Sequence, residues 1–459
     1  MTTNRTDELR AAVGGPTLFP GDEGFEDQHS GWNLTVSHAP SVVVVAESAA
    51  DVAAAVLYAS DAGLPVAVQS TGHGVSVPAD GAVFISTRRL NDLSVDADAR
   101  TARIGAGLIW GDVVAETAKS GLAPLNGSSP DVGVMGYLTG GGLPVLGRAF
   151  GFAADHVRSL EVVTADGRVR TVTPDSDADL FWAIRGGRSN FGVVTAAEID
   201  LVPVERLYGG GLFFPGERSE EVLRTYFAWL EGLPEAMCSS IILLRFPDHP
   251  LVPEHNRGRF LVHLRIAYTG SAEEGKRLVA PLRALGPEDD TVEEMPYTRV
   301  GEIYRDPPRP TPAWARTAVL RSFGEDAVDA LVAAAGPGAN LPPGGVEVRH
   351  LGGALSRPAA VPSAVARPDG DFHLFMSMPA PAESAEVSRK AEQGVLDQLS
   401  AWDTGRMLPG FMFSSDNAPD RVRCGYRPED YARLARLKAA YDPGNVFRIN
   451  HNIPPAPGA

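Results

Sequence analysis

The chain has 459 residues, 41 of them basic and 57 acidic, so its formal net charge at pH 7 is −16. This length predicts two or three domains, because a single hydrophobic core stops growing at about 250–300 residues. The 44% hydrophobic and 21% charged shares are typical of a soluble globular protein, and the acidic balance argues against a nucleic-acid partner or an anionic membrane.

The N-terminal residues 1–8 contain no apolar signal core, and no apolar run approaches the roughly 18 residues of a membrane span. We therefore expect a cytoplasmic protein with no membrane partner, either a monomer or a homodimer. Cys238 and Cys424 are the two cysteines of the sequence. Two thiols are too few for a disulfide scaffold, and they are compatible with a reducing compartment.

Residues 40–204 alternate short β-rich runs with helical patterns, which favours an α+β fold. Ser48-Ala49-Ala50-Asp51 predicts a capping box at the start of a helix that carries Val52, Val56 and Ala59. The other elements predicted here are strands at 65–69, 82–86, 101–106, 160–165 and 192–202, and helices at 111–119 and 178–184.

The pattern changes after about Gly209 and returns to the earlier type near residue 428. The predicted helices are 219–232, 271–285, 324–335, 383–402 and 428–440, and the predicted strands are 238–246, 259–268, 345–352 and 371–378. Loops rich in proline and glycine at 306–313, 336–345 and 357–369 are expected to be exposed connections or to form the entrance of a site.

A histidine follows the first predicted strand in the segment Gln69-Ser70-Thr71-Gly72-His73-Gly74-Val75-Ser76, before the apolar run 82–85. A strand, a tight glycine turn and a second strand bring backbone N–H groups together, and such a group of amides binds phosphate without a basic side chain. The segment thus predicts a phosphate-bearing ligand with an imidazole beside it.

Three further segments add to this signal. The first runs from Gly127 to Gly142 with six glycines among sixteen residues, which excludes ordinary helix or strand interior. The second comprises 150–155, 160–167, 179–187 and 190–195. The third is Tyr441-Asp442-Pro443-Gly444-Asn445 and its continuation to Pro455.

In this order and spacing, the four segments resemble the FAD-linked oxidases of the berberine bridge enzyme type, within the vanillyl-alcohol-oxidase superfamily. The resemblance covers nearly the whole chain and is strongest over 40–204 and 426–455. The middle third is less similar, with some likeness to bacterial nicotine-oxidising members. The resemblance implies a PCMH-type FAD-binding domain built from both chain ends, 1–204 and 426–459. It also implies that a substrate domain, 205–425, is inserted between them as an antiparallel sheet covered by helices.

The resemblance implies that His73 carries FAD covalently through the 8α-methyl group, a bond that makes the flavin a stronger oxidant and fixes its position. Relatives often have a second, cysteinyl bond, but Ser129 stands at that place, so no cysteinyl bond is expected. Gln69 replaces the family's basic residue before the histidine, which leaves the pyrophosphate to backbone amides. Val132 matches a small residue beside the reactive flavin carbon that admits oxygen, so O2 is expected as the electron acceptor.

Further cofactor contacts are implied by the same resemblance. The predicted cofactor-binding residues are Ser70, Thr71, Gly72, His73, Gly74, Val75, Ser76, Ser129, Val132, Gly133, Val134, Gly136, Tyr137, Gly140, Gly141, Gly142, Val194, Asn450 and Asn452. Val194 resembles an adenine-side contact. Asn450 and Asn452 alternate on an extended segment and are expected to point to the same side, near the isoalloxazine.

The catalytic base is not evident. Many relatives have a tyrosine before the final helix, but 410–417 contains none, which disfavours alcohol or sugar oxidation by a tyrosinate and leaves amine oxidation open. Glu347 and Arg349 alternate on a strand that should form the floor of the substrate cavity, where they would position or deprotonate a substrate, or form a salt bridge on a solvated face. Tyr137 is the other catalytic candidate.

No metal is expected, because His249, His255 and His263 lack metal-ligand spacing. The sequence predicts an FAD-dependent oxidase that transfers a hydride from a small cyclic or aromatic amine or alcohol to flavin, and then to O2 to give H2O2. Two alternatives remain open: a natural-product tailoring flavoenzyme that performs oxidative cyclisation or oxygenation, and a non-catalytic protein that binds flavin or an aromatic ligand.

Overall fold

The computed structural model of the chain describes residues 2–74, 77–379, 381 and 384–458. In the first part of the chain the strands are β1 (Thr17–Leu18), β2 (Val42–Val45), β3 (Val66–Gln69), β4 (Val83–Ser86), β5 (Leu93–Asp96), β6 (Thr101–Gly105), β7 (Val157–Val163), β8 (Val169–Val172) and β9 (Val193–Asp200). The helices are α1 (Thr2–Ala12), α2 (Phe25–His29), α3 (Ala49–Ala62), α4 (Trp110–Thr117), α5 (Val134–Thr139), α6 (Gly147–Phe150) and α7 (Ala178–Gly187).

The remaining elements lie between Arg206 and Tyr441. The strands are β10 (Arg206–Pro215), β11 (Met237–Arg245), β12 (Phe260–Tyr268), β13 (Asp289–Asp290), β14 (Glu293–Pro296), β15 (Ala313–Leu320), β16 (Gly344–His350) and β17 (Phe372–Pro379). The helices are α8 (Ser219–Trp229), α9 (Ala272–Arg283), α10 (Glu325–Ala335), α11 (Ala385–Gln398), α12 (Pro419–Arg423) and α13 (Pro428–Tyr441).

These strands form three sheets. A four-stranded sheet has the order β1-β2-β4-β3, in which β2, β4 and β3 are parallel. A five-stranded antiparallel sheet has the order β5-β6-β9-β7-β8. The largest sheet is antiparallel, with the order β13-β10-β12-β11-β16-β17-β15 and with β14 also paired to β10. The predicted α+β class is confirmed.

The predicted helices and strands all have counterparts close to their predicted bounds, although residue 383 of one predicted helix lies outside the described residues. Eight strands were not predicted: β1, β2, β5, β8, β10, β13, β14 and β15. Strand β10 contains Gly209, Gly210 and Gly211, and glycine has a low strand propensity. A side chain at Gly210 would come within 2.6 Å of the Thr291 carbonyl carbon, so close packing explains at least one of these glycines.

Of the two hydrogen bonds in the capping box predicted at α3, only one forms. Ser48 Oγ accepts from the Asp51 amide at 3.2 Å, as predicted. The Asp51 carboxylate, however, accepts from the amides of Gly14, Gly15 and Glu47 rather than from that of Ser48. These bonds tie α3 to the segment after α1, and they lower the pKa of Asp51 against the opposing effect of burial.

Buried apolar residues form two large clusters. The first joins residues between Leu9 and Leu207 to residues of the C-terminal part as far as Ile453, and it also includes residues of the middle part such as Cys238, Tyr297 and Ala364. The second lies entirely within Tyr208–Leu399, between the largest sheet and the helices that cover it. The domain boundaries at 204/205 and 425/426 stay a prediction: the second cluster lies within the predicted substrate domain, whereas the first extends across both boundaries. No helix in the described ranges is long and apolar enough to cross a membrane.

Candidate active site

A cavity of about 1450 Å³ opens between the glycine-rich segments and the largest sheet. Sites for one small ligand commonly measure about 300–1,000 Å³, so this cavity has room for a cofactor together with a second molecule. The predicted entrance loop is where it was expected, because residues 306–312 line the cavity.

The loop that carries His73 leaves the end of β3 and is held by its neighbours. The Trp32 amide donates to the Thr71 carbonyl at 2.8 Å, and the Asn33 amide donates to the Gly72 carbonyl at 3.1 Å. Gly72 has a φ of 75°, and a side chain there would approach the Gly31 Cα to 2.5 Å. Glycine is therefore required by both the backbone conformation and the close packing.

His73 presents one ring nitrogen without a partner. Its ring stacks on Trp32 with centroids 4.6 Å apart, and its Nδ1 lies 2.8 Å from Thr71 Oγ1. The Nε2 atom is buried and has no hydrogen-bond partner in the part of the chain that the structure describes. Burial lowers the pKa of His73 to about 4, so the imidazole is neutral near pH 7.

Most of the predicted cofactor residues line the cavity. They are Ser70, Thr71, Gly72, His73, Gly74, Ser129, Val132, Gly133, Gly136, Tyr137, Gly140, Gly142, Val194 and Asn450. Val75 and Ser76 lie outside the described residues.

Three predicted contacts are not among the lining residues. Val134 packs its side chain in the first core cluster. A side chain at Gly141 would meet Val365 at 3.1 Å, so this glycine is explained by packing. Asn450 and Asn452 were expected to point to the same side, but only Asn450 reaches the cavity wall.

The glycines of the segment from Gly127 to Gly142 serve two different purposes. At Gly136, in α5, a side chain would meet no atom within 4 Å, so this backbone is open to a ligand. A side chain at Gly140 would instead approach Gly410 Cα to 2.8 Å, and one at Gly142 would approach the Tyr137 ring to 2.5 Å. Close packing of the chain is thus sufficient to explain the last two.

Tyr137 is held with its hydroxyl group inside the protein. Its ring contacts Trp110 edge to face with centroids 5.4 Å apart. The buried hydroxyl has no partner among the described residues. Burial raises the pKa of Tyr137 well above its ordinary value, so this phenol is a hydrogen-bond donor and not a tyrosinate base.

The largest sheet presents a polar row to the cavity. Arg265 on β12 and Arg349 on β16 both lie opposite Ser240 of the intervening strand β11. Residues on one face of a strand alternate with those on the other. The neighbouring Leu264 and Val348 accordingly face away from the cavity, in the second core cluster.

Glu347 joins the two arginines of that row. Its carboxylate lies 3.1 Å from Arg265 Nη1 and 3.3 Å from Arg349 Nη2. The prediction that Glu347 and Arg349 form part of the cavity wall fits this geometry, but the pair is buried rather than solvated. Burial raises the pKa of Glu347, yet Arg349 and Arg265 outweigh that effect and hold it at about 2. So weak a base is suited to positioning a substrate rather than deprotonating it.

Arg188 was missed by the sequence analysis. It lines the cavity with a φ of 58°, a conformation that is costly for any residue but glycine. Its Nη1 atom donates to the carbonyls of Pro409 and Met412 and lies 2.8 Å from His451 Nδ1. A side chain at Gly74 would come within 3.3 Å of its Nη2. Arg188 thus supplies a cation beside the histidine loop. The sequence analysis expected no cation there, because Gln69 replaces the family's basic residue before the histidine.

The segment 410–417, which lacks the tyrosine of many relatives, contributes aromatic rings. Phe411 and Phe413 line the cavity, and Phe375 of β17 lies within 6.0 Å of both ring centroids. This part of the wall is suited to a flat apolar molecule. The described residues include no group of three or more histidine, cysteine or acidic side chains placed to hold a metal ion.

The residues present fit a flavin nucleotide. Eight buried polar atoms of wall residues have no partner in the described ranges, and His73 Nε2, the Tyr137 hydroxyl and Asn450 Oδ1 belong to predicted cofactor-binding residues. Buried polar groups are normally satisfied, so such a set indicates a polar ligand. The open backbone at Gly136, the nearby Arg188 and the apolar remainder of the cavity suit a flat ring system joined to phosphates.

The fold and this site together define a two-lobed flavoprotein that binds FAD. Residues 40–173 match the family described as FAD binding domain, and residues 413–454 match the family described as berberine and berberine like. The chain is 30% identical to (R)-6-hydroxynicotine oxidase of Paenarthrobacter nicotinovorans over 97% of each chain. It is also 27% identical to an uncharacterised FAD-linked oxidoreductase of Bacillus subtilis over 96% of this chain and 98% of that one.

Solved structures agree with the sequence comparisons. The structure of 6-hydroxy-D-nicotine oxidase from Arthrobacter nicotinovorans superposes with a TM-score of 0.85 at 26% identity, covering 99% of this chain and 100% of that one. A chitooligosaccharide oxidase superposes with a TM-score of 0.82 at 21% identity, covering 98% and 100%, which shows the shared fold. The chain belongs to the berberine bridge enzyme-like family of FAD-linked oxidases, and it is an FAD-linked oxidoreductase. The predicted family and PCMH-type fold are confirmed.

Proposed function

We propose that the chain is an oxidase with FAD bound covalently to His73, which oxidises a small cyclic or aromatic amine or alcohol and reduces O2 to H2O2. The observation that carries the covalent bond is His73 Nε2, a buried nitrogen without a partner on a neutral imidazole in the cavity wall. Neither Cys238 nor Cys424 is among the lining residues, so His73 is the one proposed attachment point.

The loop 70–74, the open backbone at Gly136 and the cation of Arg188 would hold the cofactor. When bound, FAD supplies a two-electron acceptor for a hydride from a substrate C–H bond and an electron donor to O2. The stacking of His73 on Trp32 and the Thr71 hydroxyl fix the imidazole before any bond forms. Since preorganised groups lose little entropy on reaction, this rigidity favours attachment at one place.

An amine is the better substrate candidate. The two catalytic candidates Tyr137 and Glu347 are unsuited to removing a hydroxyl proton, because Tyr137 is protonated and Glu347 is held at a pKa of about 2. A neutral amine can lose a hydride without prior deprotonation. The likeness to an (R)-6-hydroxynicotine oxidase and the rings of Phe411 and Phe413 also support a cyclic substrate.

Val132 is the proposed position of oxygen access. It lines the cavity at the start of the turn that leads into α5, and a valine leaves more space than a longer side chain. The Val132→Leu variant should keep its rate of anaerobic reduction by substrate within about twofold but slow reoxidation by O2 at least about tenfold, a loss of about 1.4 kcal/mol in transition-state stabilisation.

The test is peroxide release by the purified holoprotein with a panel of cyclic amines and aromatic alcohols, together with oxygen consumption. We expect H2O2 and consumed O2 in equal amounts, with amines better than alcohols. Turnover that reduces an artificial dye but never O2 would contradict the oxidase proposal. Flavin binding without turnover of any kind would favour the ligand-binding alternative.

A further inference from the structure

The floor of the cavity holds more positive than negative charge. We call Arg265 and Arg349 the arginine pair. Both residues and Glu347 are almost fully buried, with exposed fractions of 4%, 7% and 2%. The two guanidinium groups share the single Glu347 carboxylate, which the arginines keep ionised. Two positive charges and one negative charge leave a net charge of +1 in a buried site.

The neighbouring titratable groups do not compensate for this charge. His263 and His373 flank the row, and burial with the nearby arginines lowers both pKa values, that of His373 to about 3. Both imidazoles are therefore neutral. Tyr137 and Tyr304 also face Arg349, and burial raises the pKa of each phenol, so neither supplies an anion.

Asp306 is the other acidic group near Arg349. It is half-buried on the entrance loop, and its Oδ2 accepts from Ser128 Oγ at 2.6 Å. Among the described residues, the charged side chains on the cavity wall are Arg188, Arg245, Arg265, Arg305, Arg309 and Arg349, against Asp306 and Glu347. These six cations and two anions belong to a chain whose formal net charge is −16, so the positive excess is local.

The arginine pair also has unused hydrogen-bond donors. The buried Arg265 Nε has no acceptor in the described part of the chain. The bonds from Arg349 to Glu347 use Nε and Nη2, which leaves Nη1. A guanidinium carries five N–H donors in a fixed plane that matches a carboxylate. A buried cation without its full set of acceptors is costly, so these donors indicate an anionic ligand.

Aromatic rings surround the pair. The Tyr304 ring centroid lies 4.6 Å from Arg265 Cζ and 5.0 Å from Arg349 Cζ, and that of Phe411 lies 5.8 Å from the latter. The faces of these guanidiniums are therefore covered in part, and their edges are available for in-plane bonds. A small flat molecule with one carboxylate matches both the charge and the rings.

We propose that the substrate carries a carboxylate that binds the arginine pair, which makes it a small cyclic or aromatic amino or hydroxy acid. The proposal rests on the oxidase function proposed above and specifies its substrate class. Glu347 bridges the two guanidiniums and reduces their combined charge to +1, which equals the charge needed to neutralise one carboxylate. Arg265 and Arg349 are then specificity-determining residues, because a neutral substrate would leave their donors unpaired.

The proposal is tested by calorimetric titration of the holoprotein with benzoate and with benzamide, two probes of the same shape and different charge. We expect wild-type protein to bind benzoate at least about tenfold more tightly, as hydrogen bonds to charged groups are stronger than neutral ones. Equal binding of the two probes, or tighter binding of benzamide, would overturn the proposal without any variant being made.

Three variants are expected to differ in their affinity for benzoate. Arg349→Gln should weaken benzoate binding at least about tenfold, whereas Glu347→Gln, which frees a second positive charge, should strengthen it. Arg309→Gln, at an exposed residue of the cavity entrance, is the matched control and should bind benzoate like the wild type. The near-ultraviolet circular dichroism of each variant should match that of the wild type.

Benzoate binding that is identical in Arg349→Gln and Arg309→Gln would contradict the role of the pair. Because calorimetry reads binding and not turnover, the result separates the two proposals. Peroxide release from neutral amines with no preference for benzoate would overturn the substrate class and leave the oxidase proposal standing. Preference for benzoate in a protein that releases no peroxide would overturn the oxidase proposal and leave the carboxylate-binding role of the arginine pair standing.

Discussion

A buried carboxyl group outside the site makes the folding stability depend on pH. Glu392 lies on α11 with an exposed fraction of 0%, and neither of its carboxyl oxygens has a partner in the described part of the chain. Burial raises the pKa of Glu392 from 4.5 to about 8, with Asp416 adding to the effect and Arg316 offsetting part of it. The neutral acid is therefore the form that the folded protein favours.

The sign of the effect follows from proton linkage. The folded state holds this proton more tightly than the unfolded state, so the stabilising contribution is complete below about pH 4.5 and is lost as the pH rises through about 8. This change in pKa corresponds to about 5 kcal/mol in the free energy of unfolding across that range. For a domain as large as the predicted substrate domain, residues 205–425, such a change shifts the melting temperature by roughly 10 °C.

Glu392→Gln replaces the carboxylic acid with a neutral group of the same shape. We expect the melting temperature of the variant to differ little from that of wild type at pH 5 and to exceed it by roughly 10 °C at pH 9. The measurement is differential scanning calorimetry from pH 5 to pH 9. Glu386→Gln, on the same helix but exposed and paired with Lys390, is the control and should follow the wild type.

If the Glu392→Gln and wild-type curves run parallel from pH 5 to pH 9, Glu392 is ionised in the folded protein. Burial would then not be sufficient to keep this carboxyl group protonated.

Gly72→Ala and Lys438→Met, each with a control substitution, test the backbone of the histidine loop and the buried ion pair of Lys438 and Asp442. Gly72→Ala should destabilise the protein by about 1–3 kcal/mol, through a positive φ and the approach to its neighbour, and should lower the flavin content. Gly394→Ala, in a helix with no atom within 4 Å of the added group, should stabilise by about 0.5–1 kcal/mol. Lys438→Met should cost about 3–5 kcal/mol, because it leaves the buried carboxylate of Asp442 without its 2.6 Å partner. The exposed Lys276→Met should leave the melting temperature unchanged. Equal melting temperatures within either pair of variants would contradict these assignments.

The parts of the site that could be predicted are those whose chemistry is local in the sequence. The glycine before His73 allows a tight turn with a positive φ, which Gly72 adopts. His73 and Gly72 both lie on the cavity wall, as expected. The alternation of Glu347 and Arg349 likewise follows from the geometry of a single strand. These predictions needed no knowledge of distant contacts.

What could not be predicted depends on distant segments. Arg265 forms an ion pair with Glu347, which is 82 residues further along the chain and on the far side of an intervening strand. No local sequence pattern predicts that pairing. Arg188 has a left-handed backbone that its residue type disfavours, so only the fold reveals its position. Gly140 and Gly142 look like ligand contacts in the sequence, yet their packing against Gly410 and Tyr137 is what the structure shows.

The intact mass of the acid-denatured protein shows directly whether His73 is bonded to FAD. We expect wild-type protein to carry the added mass of one FAD and its precipitate to stay yellow. His73→Ala should have the mass of the bare chain, with any bound flavin released into the supernatant. A wild-type chain that loses its flavin on denaturation, or a His73→Ala chain that keeps it, would show that FAD is not bonded to His73.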